Sequence, residues 1–131
     1  MKIQFDKEQD RPLLLDGHHA VRITEVQDGL SENKGTRYFS ARFENTDGYV
    51  EHRFYDTAPG KSQVLQLADA AGIQVDGELD TQELVGKQVV VEVRERTYHD
   101  ELTGSERSVK EAHEFKRVRE GTDVTLERAA P

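Results

Sequence analysis

The chain contains no cysteine and no tryptophan. A disulfide scaffold, a thiolate metal site and a cysteine nucleophile are therefore excluded, and a reducing cytoplasm is the expected compartment. Long apolar runs are also missing. The longest, Leu13 to Leu15 and Val89 to Val91, hold three residues each, too short for a membrane helix. The opening Met1-Lys2-Ile3-Gln4-Phe5-Asp6 has no apolar signal core, so export is not expected. Excess positive charge is absent too: 26 acidic residues stand against 18 basic ones, a net charge of -8. Coating a polyanion by bulk charge is excluded, whereas a local basic patch is not. Val, Ile, Leu and Phe supply 31 of the 131 residues, just above the roughly one-fifth below which a charged chain stays disordered. One domain with a thin core fits this length.

What is present is mostly strand pattern. Residues 1–16 read as an N-terminal arm lying on the domain, with Ile3 and Phe5 alternating and Leu13 to Leu15 as a short apolar run. Val21 and Ile23 against Arg22 and Thr24 mark a half-buried strand from His18 to Asp28. A second runs from Thr36 to Thr46, with Phe39, Ala41 and Phe43 on one face and Tyr38, Ser40, Arg42 and Glu44 on the other. Asp47-Gly48 suits a two-residue type I′ turn. The third strand, Tyr49 to Tyr55, then turns Val50, His52 and Phe54 inward. That turn pairs Thr46 with Tyr49, Phe43 with His52, Ala41 with Phe54 and, on the outer face, Arg42 with Arg53; a one-residue slip would set Phe43 against Arg53.

Pro59-Gly60 breaks the pattern. Ser62 is the expected N-cap of a helix of about ten residues, carrying Val64, Leu67, Ala68 and Ala71 and ending at Gly72. Asp80 with Glu83, and Leu79 with Leu84, occupy capping-box and staple positions of a second helical turn. Lys87 to Tyr98 is the strongest strand, with Val89, Val91 and Val93 inward and Val90, Glu92, Arg94, Arg96 and Tyr98 outward. Glu106 to Val118 forms a fifth strand through Val109 and Phe115, and the polar residues 119–131 are expected to fray. The fold class is all-β with one short helix between the third and fourth of five strands. Several antiparallel topologies accept this order; the best known is the OB-fold, a five-stranded Greek-key barrel.

Gly17, Lys34-Gly35, Asp47-Gly48, Phe54-Tyr55, Gly86-Lys87 with Val89, Val91 and Val93, then Tyr98 and Phe115-Lys116, recur in an order and spacing that resembles a known family. It comprises small phage and prophage proteins found beside recombination or replication functions and regarded as OB-fold single-stranded DNA-binding proteins. The resemblance covers Met1 to about Val118, so residues 17–118 would form the OB-fold domain. It implies single-stranded DNA binding in phage DNA metabolism in the host cytoplasm, with replication or recombination proteins as partners and a homodimer as one compatible state. One departure is the end of the chain, Glu127 to Pro131, which lacks an acidic run and so argues against tail-mediated recruitment.

The outer face of the second and third strands offers the site for that function. Tyr38 and Tyr55 would stack on bases, Arg42 and Arg53 would meet the backbone, and Arg37 and Lys34 stand at the strand start. Glu44 and Glu51 supply the plainer explanation, a salt-bridged ladder. Six cations (Arg94, Arg96, Arg107, Lys110, Lys116, Arg117) are interleaved with six acids between Arg94 and Arg117, the pattern of a solvated hairpin. Arg94 and Arg96 of this group share one strand face with Tyr98, and the three extend the candidate path. The five histidines show no metal-ligand spacing, His18 and His19 pointing to opposite strand faces, so neither metal nor cofactor is expected. His52 reads as a hydrogen-bonded core or rim residue. No P-loop, dinucleotide fingerprint or nucleophile elbow occurs, so catalysis is not expected. The alternatives are a small β-barrel module that binds a protein through the same Tyr–Arg face and, more distantly, a metal-dependent nuclease using carboxylates of the Asp69–Glu83 stretch.

Overall fold

The computed structural model describes Met1 and residues 11–126. The chain is mostly β: strands β1 (Gly17–Leu30), β2 (Arg37–Asn45), β3 (Gly48–Tyr55), β4 (Gln88–Asp100) and β5 (Ser105–Lys116), with helix α1 (Ala58–Ala70) and a 3₁₀ turn (Thr81–Leu84) between β3 and β4. All five strands join one antiparallel sheet in the order β3-β2-β1-β4-β5. The sheet is not closed by a ladder between β3 and β5. Its edges nonetheless approach across the core, where the Phe115 ring of β5 lies 5.6 Å from Phe54 of β3 and 5.8 Å from Phe43 of β2.

The alternating residues behave as their pattern requires. Val21, Ile23, Ala41, Phe43, Val50, Phe54, Val89, Val91 and Val93 are buried, and Leu67 and Leu84 cap them from α1 and the 3₁₀ turn. Each fully buried Val, Leu, Ile or Phe side chain contributes about 1.5–3 kcal/mol, which is how a thin core suffices. Two bulges break strict alternation. Thr24 is the extra residue between Ile23↔Phe43 and Glu25↔Arg42, so Val26 turns inward and Glu25 outward. A second bulge, at Glu114, lets both Ala112 and Phe115 face the core.

The β2–β3 register differs from the sequence expectation by two residues. The pairs are Asn45↔Gly48, Ala41↔His52, Phe39↔Phe54 and Tyr38↔Tyr55, so Thr46-Asp47 forms the loop. Arg42 faces Glu51 and Arg53 faces Ser40; the expected Arg42–Arg53 opposition does not occur. A two-residue slip keeps every side chain on its face, so alternation cannot detect it. Local chemistry decides instead. Asn45 Oδ1 accepts hydrogen bonds from the Asp47 and Gly48 backbone N–H groups at 2.8 and 3.2 Å, an Asx-type turn. Gly48 serves a different purpose from the one expected of it. A Cβ there would lie 2.3 Å from the Pro12 carbonyl oxygen, because the arm passes directly over it.

That arm is pinned to β3. Tyr49 N–H donates to Pro12 O at 3.0 Å, Leu14 N–H donates to Tyr49 O at 2.9 Å, and Leu14 is buried. Leu13 thus makes one parallel bridge to Tyr49. The Ile3 and Phe5 alternation lies outside the described residues. Helix α1 begins earlier than its apolar spacing suggests. Thr57, not Ser62, is the N-cap, its Oγ1 accepting from Gly60 N–H at 3.2 Å. Pro59 sits in the first turn, where a missing N–H costs nothing. At the other end Gly72 N–H donates to Asp69 O at 3.0 Å and Ile73 N–H to Ala68 O at 2.9 Å, the Schellman arrangement. The segment expected to fray is held as far as it is described: Arg22 donates to Val124 O at 3.1 and 3.2 Å, Gln88 Nε2 donates to Thr122 O at 3.0 Å, and Val124 is buried.

Candidate nucleic-acid interface

The ladder sets the outer face of β1, β2 and β3 in rows. Gly29, Tyr38 and Tyr55 form the row nearest the β1–β2 loop; Gln27, Ser40 and Arg53 the next; Glu25, Arg42 and Glu51 the third. Gly29 leaves space for the first row: a Cβ on it would lie 2.5 Å from the Tyr38 ring, which would have to shift. Tyr38 and Tyr55 are tilted neighbours with centroids 5.6 Å apart. The Arg53 guanidinium stacks over Tyr38 at 4.5 Å from the ring centroid. Its pKa is raised, chiefly by hydrogen bonding to Tyr55, and Arg53 stays exposed. Arg53 stacked on Tyr38, with Tyr55 tilted beside them, therefore forms one partly exposed cluster.

Arg42 plays another part. Its guanidinium lies 3.9 Å from the Tyr49 ring centroid, pairs with Glu44, and reaches Glu51 at 3.2 Å. Its side chain is only 16% exposed. Burial pulls its pKa down, but the hydrogen bonds and charges of Glu44 and Glu51 outweigh that and leave it raised. Glu44 is the buried acid of this group; it also accepts from Thr24 Oγ1 at 3.0 Å and pairs with Arg11 at 3.4 Å. The salt-bridged ladder thus describes Arg42, while Arg53 remains with the tyrosines.

Lys34 lies in the β1–β2 loop, which is closed by Ser31 N–H to Thr36 O at 2.9 Å and Gly35 N–H to Ser31 O at 3.0 Å. Arg37 follows it at the start of β2, opposite Leu30, and so alternates to the face away from Tyr38, where it lines the cleft described below. Arg94, Arg96 and Tyr98 are not brought to this end. Gly17 pairs with Val93, so these residues lie beyond the start of β1, whereas Tyr38 pairs with Gly29. Those two positions are separated by roughly 40 Å along an extended strand at about 3.3 Å per residue. Arg94 is paired with Glu92, Arg96 with Glu111 at 2.7 Å, and the Arg96 guanidinium is 5.8 Å from the Tyr98 ring.

Sequence spacing did not reveal the cleft below the Tyr38–Tyr55 row. It measures about 1010 Å³ and lies between the end of the sheet, α1 and residues 75–81. Leu30, Phe39 and Phe54 line one wall, Val64 and Leu65 another; Arg37, Lys61, Asp28 and Asp56 stand among the polar groups. Exposed Leu30 and Leu65 were the available signal: Leu30 carries the inward phase of β1 past the end of the core, and Leu65 falls off the buried stripe of α1. His52 reaches the rim expected of it, facing Ala41 and hydrogen-bonded through Nε2 to Gln63 Oε1 at 3.3 Å. Burial pushes its pKa down.

No protein-family model matches the chain, and no curated protein matches it.

Proposed function

We propose that the chain binds single-stranded DNA, largely without sequence preference, on the outer face of β2 and β3 at the end nearest the β1–β2 loop. The observation that carries this is the exposed stack of Arg53 over Tyr38 beside Tyr55. Bases of any identity stack on such planes, at about 1–3 kcal/mol each. Arg53 and Lys34 would meet phosphates, Arg37 would reach one from the cleft side of the strand end, and Arg42 would hold the platform rigid. Arg94, Arg96 and Tyr98 would contact only a strand long enough to run on past β1.

The helix between β3 and β4, the β1 strand shared by both halves of the sheet, and the approach of Phe54 to Phe115 support a partly open OB-type barrel. The face formed by the second and third strands is a binding surface of that fold. A role in phage replication or recombination in the host cytoplasm rests on the family resemblance, and the expectation of no catalysis on the lack of a P-loop, dinucleotide fingerprint or nucleophile elbow. One observation favours a second function, capture of a protein segment: the apolar cleft beneath the same tyrosines, with Leu30 and Leu65 exposed at its edge.

Fluorescence anisotropy with a labelled oligonucleotide, at low salt and with EDTA present, tests the proposal. Saturable binding that Arg53→Glu weakens at least tenfold supports it. Absence of binding, or binding indifferent to Arg53→Glu, removes this face as the site. Cleavage only when metal replaces EDTA would make the protein a nuclease.

A further inference from the structure

The last inward rows of the sheet border the cleft. Asp28 of β1 pairs with Phe39 of β2, and Phe39 with Phe54 of β3. The two rings are stacked with centroids 4.9 Å apart, so this row is an apolar plane with a carboxylate at its β1 end. Leu30 and Arg37 continue the same phase one row further out. Val64 and Leu65 of α1 supply a second wall. Tyr38 and Tyr55 belong to the outer face yet also line the cleft. The cleft and the stack of Arg53 on Tyr38 are therefore continuous around the end of the sheet.

Charge is distributed unevenly around these walls. Asp56 is engaged by Lys61 at 3.5 Å. Asp28 is exposed on the cleft side and, among the described residues, has no ion pair or side-chain hydrogen bond. Arg37 is likewise exposed and without an ion pair among the described residues. An apolar slot with a free acceptor and with cations at its edge matches a nucleotide, base inside and phosphate outside. An apolar peptide segment would fill the same walls and leave both free charges unused. The volume of about 1010 Å³ accommodates a nucleotide without rearrangement, since small-molecule sites span roughly 300–1,000 Å³.

We propose that the cleft receives one unstacked base of the bound strand, a guanine, whose N1–H and N2 amino group donate to the two oxygens of Asp28. This rests on strand binding at the adjoining tyrosines and adds a preference at one nucleotide position. A base taken out of the stack is read by hydrogen bonds to its Watson–Crick edge between apolar or aromatic walls. An ionised carboxylate only accepts, so it selects the base with two parallel donors on that edge. Guanine has them. Adenine and cytosine set a ring-nitrogen acceptor beside their amino group, and thymine flanks its one N–H with two carbonyls, whose lone pairs a carboxylate repels. Arg37 and Lys61 would meet the flanking phosphates.

The test is anisotropy titration of the full-length protein with a thymidine dodecamer and with the same strand carrying one central guanine or one central hypoxanthine. The guanine strand should bind about fivefold or more tightly than the plain one. Hypoxanthine, which lacks the N2 amino group, should lose most of that gain. Asp28→Asn should erase the guanine preference and leave the plain strand's affinity unchanged, because the amide presents a donor where guanine needs an acceptor. Asp28 is exposed, so the melt of that variant should match the parent. Glu78→Gln, on another wall of the cleft, should keep the preference, and Arg53→Glu should weaken all three strands together. Equal affinity for the plain and guanine strands overturns the inserted base and returns the cleft to a protein segment, while strand binding stands. Binding of none of the strands overturns both. A preference lost in Glu78→Gln in place of Asp28→Asn overturns the assigned acceptor, and a preference unaltered by Leu65→Glu puts the guanine outside the cleft and overturns the proposal.

Discussion

Arg42 and Arg53 are two arginines on one sheet face with opposite duties, and truncating each separates those duties. Arg42→Ala removes the partner of a buried acid. Breaking a buried ion pair from one side costs about 3–5 kcal/mol. Glu44 keeps Arg11 at 3.4 Å and the Thr24 hydroxyl at 3.0 Å, which reduces that cost. The stack on Tyr49, at 3.9 Å, adds about 0.5–1 kcal/mol. The net expectation is a loss of about 2–3 kcal/mol. For a chain of this size each kcal/mol moves Tm by about 3–6 °C. Arg53→Ala loses only an exposed stack at 4.5 Å, about 0.5–1 kcal/mol. Urea and thermal melts followed by far-UV circular dichroism measure both, since the chain has no tryptophan. In DNA titrations the order should reverse: Arg53→Ala weakens binding, while Arg42→Ala acts only through stability. A double-mutant cycle adds the register. Arg42 with Glu51 should show a coupling of about 0.2–1 kcal/mol, and Arg42 with Arg53 none that destabilises. Equal destabilisation by the two truncations, or repulsive coupling between the arginines, would refute both the register and the division of roles.

Other outcomes follow from the same geometry. Tyr38→Ala and Tyr55→Ala should each weaken single-stranded DNA binding by about 1–3 kcal/mol, with Phe restoring most of it; equal loss in the Phe variants would show that the hydroxyls act instead of the rings. With Lys34, Arg37 and Arg53 as the phosphate contacts, the log–log salt slope should be near -2, at about -0.7 per phosphate; anisotropy across a salt series reads it, and zero or about -6 would contradict three contacts. His52 is held neutral by burial, its folded pKa below the ordinary 6.5. The unfolded chain therefore binds the proton more readily, so stability is complete above about pH 6.5 and falls as pH drops through that value toward the folded pKa. Urea melts from about pH 5 to 7.5 should show that slope, and His52→Gln should flatten it. Gly48→Ala forces the arm away, since its Cβ would sit 2.3 Å from Pro12 O; a melt unchanged within about 0.5 kcal/mol would show that the arm is not held there.

The sequence alone determined which residues lie inside. Period-two alternation assigns a face to each side chain, so Val21, Ile23, Phe43, Val50, Phe54, Val89, Val91 and Val93 were legible as core, and the tyrosines of β2 and β3 as outer. Capping chemistry is equally local, and Asp80 and Gly72 stand where their residue types belong. Tertiary structure decided whatever alternation leaves degenerate. A slip of two residues preserves both faces, so the choice of Glu51 over Arg53 opposite Arg42 came from the Asn45 turn and from the arm crossing Gly48. Thr24 and Glu114 each change the phase of a strand, and a bulge shows only when the ladder is counted across two strands. The cleft under Tyr38 arises where elements far apart in sequence converge. A periodic pattern states which way a side chain points but not what stands opposite it, because that neighbour is chosen by the packing of the whole sheet.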